Sequence, residues 1–543
     1  MHCSNQKLLT RLAAVLLGLP GLAARADGPL ELDLVLDGTE TYTTTFVDPG
    51  TGIPIIVNRS FHDLEQIQIN DFGDVLLSAT LDRAPGSDDR IDTLFYSPIG
   101  NQTGRPIQLF DELTGSLVDG SPRRPNGSVE WLFANDGSVV SNVNSFERRL
   151  ELGQNLDGSP PTFTILTAEG AQPTSAVNNL GGGEVLFRAN SFTDPGDEVR
   201  SALYRRNADG SVERIVGAGD TTTLDTGESY QYVGGPLLVN DAGYGMIRDG
   251  DAFLSRTPDG SVGRLFAVGE TDAGSSLVFS EIDPDDTSFD MDRHGNVVFS
   301  SSTDNGVGNF SGGIFKATAG MSNSLEAVAV SGDTTPGGLN IGLLDRSNRG
   351  HTDPKFLGRN GDFIFTATES TGDFLSEIVR YNSTSGQLET FLSNGDAIGS
   401  DGLTVALNFN SLGDFDVNQL GQFAMVTDVV NSEGDELEAL IAYDPSLGFI
   451  PIGVEGETLD ADGVSVVVEE FQAQFSTQRN GAFGFGAESG FLSNGGWLTF
   501  GIETENERNY AFRTQLPIPE PSSAMLLGAA GLLLTSRRRR RTA

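Results

Sequence analysis

Asn70-Asp71-Phe72-Gly73-Asp74-Val75-Leu76-Leu77 is the stretch that decides the fold, because its pattern recurs along the chain. An Asn/Asp-x-x-Gly or Asn-Gly turn is followed each time by an apolar run. Glycine adopts the positive φ that such turns require, and a short apolar run bounded by turn residues is typical of a strand. Further copies of the turn are Asn126-Gly127, Asn179-Leu180-Gly181, Asn240-Asp241-Ala242-Gly243, Asp292-Arg293-His294-Gly295, Asn360-Gly361, Asn418-Gln419-Leu420-Gly421 and Asn480-Gly481.

Each repeat also carries later elements in the same order. A second strand such as Ile378 to Tyr381 is followed by a hairpin signal such as Asp209-Gly210, which leads into a third strand. A Gly-Asp or Gly-Glu pair such as Gly395-Asp396 comes next, and a fourth strand such as Phe415 to Val417 precedes the next turn. The turn glycines are about 52 to 66 residues apart, which suits propeller blades better than solenoid turns.

Four short antiparallel strands per repeat, without a helical period, predict an all-β fold. The prediction is a β-propeller of seven or eight four-stranded blades within residues 27–516. The run from Leu30 to Leu36 is expected to add a strand that closes the ring onto the last blade. The alternative is two or three tandem β-sandwiches, which explains the repetition less well.

The charge of the chain excludes some partners. The 543 residues include 75 acidic and 34 basic side chains. Eight basic residues and no acid lie in the two ends, 1–26 and 522–543, so the body between them has a formal charge of −49. Such a surface repels nucleic acid and anionic lipid, so no nucleic-acid partner is expected. The 38% hydrophobic content and 33 phenylalanines indicate a packed body rather than disorder.

The N-terminus has the pattern of a secretory signal peptide, residues 1–26. Lys7 and Arg11 precede an apolar run, and Ala24 and Ala26 form an A-x-A cleavage site. Cleavage there removes Cys3, the only cysteine of the chain. The mature protein is therefore expected to lack disulfides and cysteine-based metal sites.

The C-terminal segment, residues 517–543, has three parts in order. Pro519, Glu520 and Pro521 come first, then a short apolar run from Ala524 to Leu534, and then the basic cluster Arg537, Arg538, Arg539, Arg540 and Arg541. As a helix, eleven residues span about 16 Å, well short of the roughly 30 Å hydrocarbon core of a bilayer. The run suits a transient membrane segment that is later cut, and an uncut anchor is the alternative. The arginines are expected on the cytoplasmic side, with the body outside.

This tail resembles the PEP-CTERM sorting signal of bacterial surface proteins, which is read by an exosortase-type membrane protease. The tandem turns are similar to a family of Asn-x-x-Gly-x-x-x-Phe repeat proteins that carry interchangeable C-terminal anchors. The resemblance implies processing by an exosortase-type enzyme and a place in the cell envelope or the exopolysaccharide matrix. It implies no activity.

Calcium is the one cofactor with support in the sequence. Asp290, Asp292 and Asn296 partly resemble the start of a D-x-D-x-D-G calcium loop, with Gly295 for the bend. The bidentate glutamate of such a loop is missing, because Ser301 occupies its position. The alternative is a solvated acidic loop without a metal.

Two functional hypotheses remain. No G-x-S-x-G elbow, H-E-x-x-H motif or phosphate-binding loop is present, so no catalytic residue is assigned. The preferred hypothesis is a non-catalytic surface protein that acts as a scaffold or binding module in the envelope or exopolysaccharide. The other is an extracellular glycan- or peptide-modifying propeller enzyme, since paired carboxylates are abundant in so acidic a chain.

Overall fold

The computed structural model describes residues 30–47, 54–82, 90–101, 104–111, 131–144, 148–154, 156, 162–168, 171–191, 200–217, 238–240, 242–249, 252–259, 261–267, 278–281, 289–304, 310–321, 324–342, 354–369, 375–400, 402–407, 415–472 and 491–517. These residues form an eight-bladed β-propeller. Within them, no helix has the length and apolar character needed to cross a bilayer. The signal peptide and the C-terminal segment from residue 518 onward lie outside the described residues.

The strands of the first four blades follow chain order. Blade 1 has β2 (Thr41–Val47), β3 (Pro54–Ile69), β4 (Val75–Asp82), β5 (Arg90–Ser97) and β6 (Ile107–Asp111); blade 2 has β7 (Trp131–Phe133), β8 (Val139–Asn144), β9 (Arg148–Gln154) and β10 (Thr162–Ile165); blade 3 has β11 (Ala171–Gly181), β12 (Glu184–Ser191), β13 (Arg200–Arg206) and β14 (Val212–Gly217); blade 4 has β15 (Leu238–Val239), β16 (Gly245–Asp249), β17 (Ala252–Arg256) and β18 (Val262–Ala267).

The remaining four blades complete the ring. Blade 5 has β19 (Val278–Glu281), β20 (Phe289–Met291), β21 (Asn296–Asp304), β22 (Phe310–Thr318) and β23 (Glu326–Val330); blade 6 has β24 (Lys355–Phe356), β25 (Phe363–Thr368), β26 (Ser376–Asn382) and β27 (Gln387–Ser393); blade 7 has β28 (Ala397–Ile398), β29 (Leu403–Val405), β30 (Phe415–Val417), β31 (Phe423–Val430), β32 (Glu436–Asp444) and β33 (Gly448–Val454); blade 8 has β36 (Glu470–Gln472), β37 (Trp497–Thr504), β38 (Arg508–Gln515) and β1 (Leu32–Leu36); the hairpin of β34 (Thr458–Ala461) and β35 (Val464–Val467) connects blades 7 and 8.

The N-terminal strand closes the ring, as predicted. β1 pairs antiparallel with β38, so that Leu32 lies opposite Thr514 and Leu36 opposite Ala511. The fourth strand of blade 8 therefore comes from the opposite end of the chain. A ring sealed in this way opens only when strands remote in sequence separate.

Each repeat is shifted by one strand relative to its blade. The strand that precedes an Asn-x-x-Gly turn pairs with the strand that follows the turn, as β30 pairs with β31. It is therefore the first strand of its blade. First strands of neighbouring blades contact one another, as β20 contacts β24 and β24 contacts β30.

The apolar cores lie between blades. Eight clusters of buried hydrophobic residues each combine side chains from two neighbouring blades, including a cluster in which Val35 and Ala511 of blade 8 pack with Ile67 and Leu77 of blade 1. Between blades 4 and 5, the rings of Phe266 and Phe299 stack with centroids 4.4 Å apart. A continuous ring of eight interfaces excludes the tandem-sandwich alternative.

This packing explains the apolar runs after the turns. The second strand of a blade has a neighbouring blade on both faces, so consecutive residues are buried instead of alternating with polar ones. In β31, the first five residues of Phe423–Val430 are all buried. Fully burying one such Phe side chain contributes roughly 1.5–3 kcal/mol.

Three of the predicted turns are placed differently in the structure. In blade 3, Asn179, Leu180 and Gly181 end strand β11, and the turn consists of Gly182 and Gly183. In blade 2 the turn is Ala134–Gly137, and Trp131–Phe133 precedes it instead of following a turn at Asn126-Gly127. In blade 8 the turn is Ser493–Gly496, immediately before β37. The pairs Asn126-Gly127 and Asn480-Gly481 lie outside the described residues. The turns of blades 2 and 8 begin with Ala134 and Ser493 instead of Asn, which is why the pattern favoured other positions.

Candidate functional site

The side chain of the recurring asparagine shapes its own turn. Asn418 Oδ1 accepts hydrogen bonds from the backbone N–H groups of Leu420 and Gln422, both at 3.0 Å. Asn70 does the same with Phe72 and Asp74, at 3.0 and 2.9 Å. A short amide side chain mimics one more backbone carbonyl here, which is the property that favours Asn in such turns.

The other end of the same side chain reaches the next blade. Asn418 Nδ2 donates to the backbone carbonyl of Ser493 at 2.8 Å, from blade 7 to blade 8. Asn240 Nδ2 donates to the carbonyl of Asp292 at 2.6 Å, from blade 4 to blade 5. The asparagine of the repeat therefore connects neighbouring turns as well as forming its own.

Residues beside the asparagine add further bonds between turns. The N–H of Asp71 donates to Asn135 Oδ1, and Asn135 Nδ2 donates to Asp71 Oδ2, both at 2.9 Å, which joins blades 1 and 2. The N–H of Gln419 donates to Asn494 Oδ1 at 2.8 Å, which joins blades 7 and 8. The turns of these neighbouring blades are therefore hydrogen-bonded to one another on one face of the ring.

Arg513 connects the last blade of the ring to the first. Its side chain is fully buried between blade 8 and blade 1. Nη1 donates to the carbonyls of Gly73 and Pro98 at 3.0 and 3.1 Å, and Nε lies 3.4 Å from Asp33 Oδ2. A guanidinium presents five donors in a fixed plane, so it satisfies several carbonyls at once.

A charged pair lies on the first strands of blades 6 and 7. Lys355 Nζ donates to the carbonyl of Phe415 at 2.5 Å and lies 3.8 Å from Asp416 Oδ1. Only 16% of the Asp416 side chain is exposed. Burial raises the pKa of Asp416, and Lys355 partly opposes that shift.

Asp416 also connects blade 7 to blade 8, and Asp290 makes the corresponding connection earlier in the ring. Asp416 Oδ2 accepts from the N–H of Leu492 at 3.2 Å, and Asp290 Oδ2 accepts from the N–H of Phe356 at 2.7 Å. Burial raises the pKa of Asp290 as well. Both carboxylates thus bond to the first-strand region of the following blade.

The predicted calcium ligands lie close together in sequence but bond in different directions. Asp290 bonds across to blade 6, whereas Asp292 caps its own turn by accepting from the N–H groups of His294 and Asn296 at 2.8 and 2.9 Å. Asn296 Nδ2 donates to Asp292 Oδ2 at 2.6 Å. Within the described ranges, no group of three or more His, Cys, Asp or Glu side chains is arranged to hold a metal ion.

Calcium binding by this loop stays a prediction. A calcium titration of thermal stability tests it, and an unchanged Tm at millimolar calcium would remove it.

Glu438 of blade 7 has an unusual pKa at the boundary with blade 8. Burial, with smaller contributions from the nearby carboxylates Glu470, Asp428 and Glu455, raises its pKa to about 7. Its Oε2 accepts from the N–H of Phe471 at 2.6 Å, a bond that favours the charged form. A carboxyl with such a pKa exchanges a proton near neutral pH, which is the property a general acid requires.

Sequence reasoning missed Glu438, Lys355 and Arg513. Each lies outside the repeated turn, and its role depends on a neighbouring blade far away in the chain. The sorting residues Pro519, Glu520 and Pro521, the arginines 537–541 and the cleavage residues Ala24 and Ala26 lie outside the described residues. Pro517, the last residue described, is held by Gln422, whose Nε2 donates to its carbonyl at 2.7 Å.

Comparison with known proteins does not place the chain in a family. No family model matches it, and no curated protein matches it. Among solved structures it is similar to an oligogalacturonate lyase from Vibrio parahaemolyticus, with 12% identity, TM-score 0.36 and coverage of 77% of this chain and 100% of the other.

Two further solved structures show the same low level of similarity. The β-propeller domain of the trilobed protease from Pyrococcus furiosus has 12% identity, TM-score 0.37 and coverage of 72% and 96%. The sialidase of Trypanosoma rangeli has 10% identity, TM-score 0.26 and coverage of 82% and 92%. At these values, no activity, ligand or partner is transferred to this chain.

Proposed function

We propose that this chain is an exported, non-catalytic repeat protein of the cell envelope or exopolysaccharide matrix, where it acts as a scaffold or binding module. The observation that carries the proposal is the use of the recurring asparagines. Asn70, Asn240 and Asn418 donate to backbone groups of the next blade, so the repeated motif joins neighbouring blades of the ring. A motif whose polar atoms are engaged in this way supports a structural role for the repetition.

The tail supports export and sorting by an exosortase-type enzyme. Pro519-Glu520-Pro521 begins two residues after Pro517, the last described residue, whose carbonyl is bonded to Gln422 of blade 7. In sequence, the motif therefore follows the last described strand of the ring, and the apolar run and the arginines come after it. Cleavage beside the motif would remove no described strand.

Sorting is tested by replacing Pro519, Glu520 and Pro521 together with alanine in the producing cell. The expected result is that the altered chain stays in the membrane fraction and keeps its C-terminal segment, measured by mass spectrometry of the C-terminal peptide. Replacing Ser522 and Ser523 with alanine is the matched control. Normal processing of the triple variant would contradict sorting through this motif.

The scaffold or binding role is tested with the mature chain that begins at Asp27. We expect it to bind matrix polysaccharide from the producing cell without changing the polymer length, measured by co-sedimentation and size-exclusion chromatography. Shortening of the polymer would overturn the non-catalytic proposal. Failure to bind polymer or envelope fractions would overturn the matrix role.

An extracellular glycan- or peptide-modifying enzyme is the second candidate function. The observation that favours it is Glu438, a carboxyl with a pKa of about 7 that has Glu455 and Glu470 near it. Glycoside hydrolysis uses two carboxyl groups, and a carboxyl with a raised pKa serves as its general acid. If polymer turnover is found, Glu438→Gln is expected to abolish it while the ring stays folded.

A further inference from the structure

The described part of the chain ends on a defined face of the propeller. In every blade, the turn between the first and second strands and the turn between the third and fourth strands lie on the same side of the ring, because successive strands are antiparallel. We call this side the turn face. β38 runs back towards it, and the N–H of Leu516 donates to the carbonyl of Gly496 in the blade 8 turn at 2.8 Å. Pro517, the last described residue, therefore lies at the turn face, between the turns of blades 7 and 8.

Exposed apolar side chains concentrate on the same side. Of the seven large hydrophobic residues that are exposed in the described part of the chain, six lie in or beside turns of the turn face: Phe72, Ile99, Ile107, Val212, Met321 and Leu447. The seventh, Val467, is in the β34–β35 hairpin.

Three of these residues belong to blades 1 and 7, which lie on either side of blade 8, whose strand β38 leads to Pro517. Phe72 (63% exposed) and Ile99 (44%) belong to blade 1, and Leu447 (50%) belongs to blade 7.

Direct contacts link these side chains to Pro517. Leu447 lies in the turn between the third and fourth strands of blade 7. Pro445 of that turn lies beside Gly421, in the turn between the first and second strands of the same blade. The blade 8 turn then bonds to blade 1, because the N–H of Gly495 donates to Asp71 Oδ1 at 2.9 Å. Phe72 is the next residue. The exposed apolar side chains therefore border the point from which the tail departs.

The length of the connection limits how the ring can be oriented. Seven residue steps separate Pro517 from Ala524, the start of the apolar run, and fully extended they span at most about 25 Å. The headgroup layer takes up roughly 5–7 Å of this length. An eight-residue strand such as β37 makes the ring about 26 Å thick. A tail that had to cross this thickness would not reach the hydrocarbon core.

From this geometry we infer that the turn face rests on the lipid bilayer in which the tail is held, with Phe72, Ile99 and Leu447 at the interface. The inference rests on the proposed function, because it requires the tail to enter a membrane. The partner is a zwitterionic lipid surface, since the acidic body is repelled by anionic headgroups. Burial of exposed apolar side chains at such an interface lowers the free energy of the bound state.

Single labels on the mature, cysteine-free chain test this orientation. The full chain from Asp27 is reconstituted with phosphatidylcholine vesicles, and an environment-sensitive fluorophore is attached to Phe72→Cys or Leu447→Cys. Glu433→Cys and Glu505→Cys are the matched controls, because both are exposed residues in turns between second and third strands, on the opposite face. Quenching by lipid-borne nitroxide and flotation with the vesicles are both measured.

We expect the chain to float and the labels at 72 and 447 to be quenched several-fold more than those at 433 and 505. Flotation with equal quenching, or with stronger quenching at 433 and 505, would overturn the orientation and leave the proposed function standing. A chain that does not float would overturn membrane insertion of the tail, and the orientation with it. Weaker quenching in vesicles that contain phosphatidylglycerol would support the choice of zwitterionic lipid.

Discussion

The backbone N–H of Gly495 donates to the carboxylate of Asp71 at 2.9 Å, although the two residues are 424 positions apart. This bond joins the turn of the last blade to the turn of the first. Asp71 also accepts from Asn135 of blade 2 at 2.9 Å. One carboxylate therefore holds three consecutive blades in register.

Replacing Asp71 with alanine is expected to weaken ring closure. The substitution leaves the N–H of Gly495 and the amide of Asn135 without their acceptor, and each unsatisfied donor costs about 1–3 kcal/mol when buried. Both donors are part-buried, so the lower end of that range applies. Denaturant unfolding of the mature chain measures the change. Asp209→Ala is the control, because Asp209 accepts from Ser211 in its own exposed turn and bonds to no other blade within the described residues.

Asn418→Ala is expected to cost more stability than Asn431→Ala. Both asparagines cap a turn through Oδ1, Asn418 with Leu420 and Gln422, and Asn431 with Glu433 and Asp435. Only Asn418 is buried and also donates to the carbonyl of Ser493 in the next blade. The extra loss is about 1–3 kcal/mol, measured by urea unfolding. Equal losses would contradict the interblade role of the motif.

Arg513→Lys is expected to destabilise the ring although the charge is kept. An ammonium cannot reproduce the planar fork that bonds to Gly73, Pro98 and Asn101. The loss is about 1–3 kcal/mol, the cost of leaving buried carbonyls without their donor. Calorimetric Tm measures it, with Arg508→Lys on the same strand as the control. A wild-type Tm in the Arg513→Lys variant would show that a positive charge alone is sufficient at this position.

Glu438 is expected to make stability fall as pH rises. Its pKa is raised from 4.5 to about 7 in the folded chain, so between these values the folded state holds more protons than the unfolded state. The stability that this group contributes is therefore fully present below the unfolded pKa of 4.5 and is lost as pH rises through the folded pKa of about 7.

Glu438→Gln isolates this contribution, because its carbonyl still accepts from Phe471 and cannot ionise. The variant is expected to exceed wild type by about 1–2 kcal/mol above pH 8, with the difference vanishing near pH 4. Unfolding free energies across this pH range provide the measurement. Glu433→Gln, at an exposed turn, is the control, and parallel profiles for all three proteins would contradict the raised pKa.

Much of the architecture can be predicted from local sequence patterns. The Asn-x-x-Gly turns at Asn70, Asn240, Asp292 and Asn418 and the strands around them were predicted correctly, because turn chemistry and apolar runs are short-range properties. The closing strand at Leu30 to Leu36 was found for the same reason. The turns at Ala134 and Ser493 were missed, since they keep the fold of the motif without its leading side chain.

The amino-acid sequence by itself determined the strand content, the repetition and the charge of this protein, because these follow from residue type and spacing. Only the tertiary structure decided that eight blades close, which strand begins each blade, and that Asn418, Arg513 and Glu438 act across blade boundaries. The physical reason is that those roles depend on partners from other blades, at sequence separations of tens to hundreds of residues. A local pattern contains no information about which distant backbone group a side chain will meet.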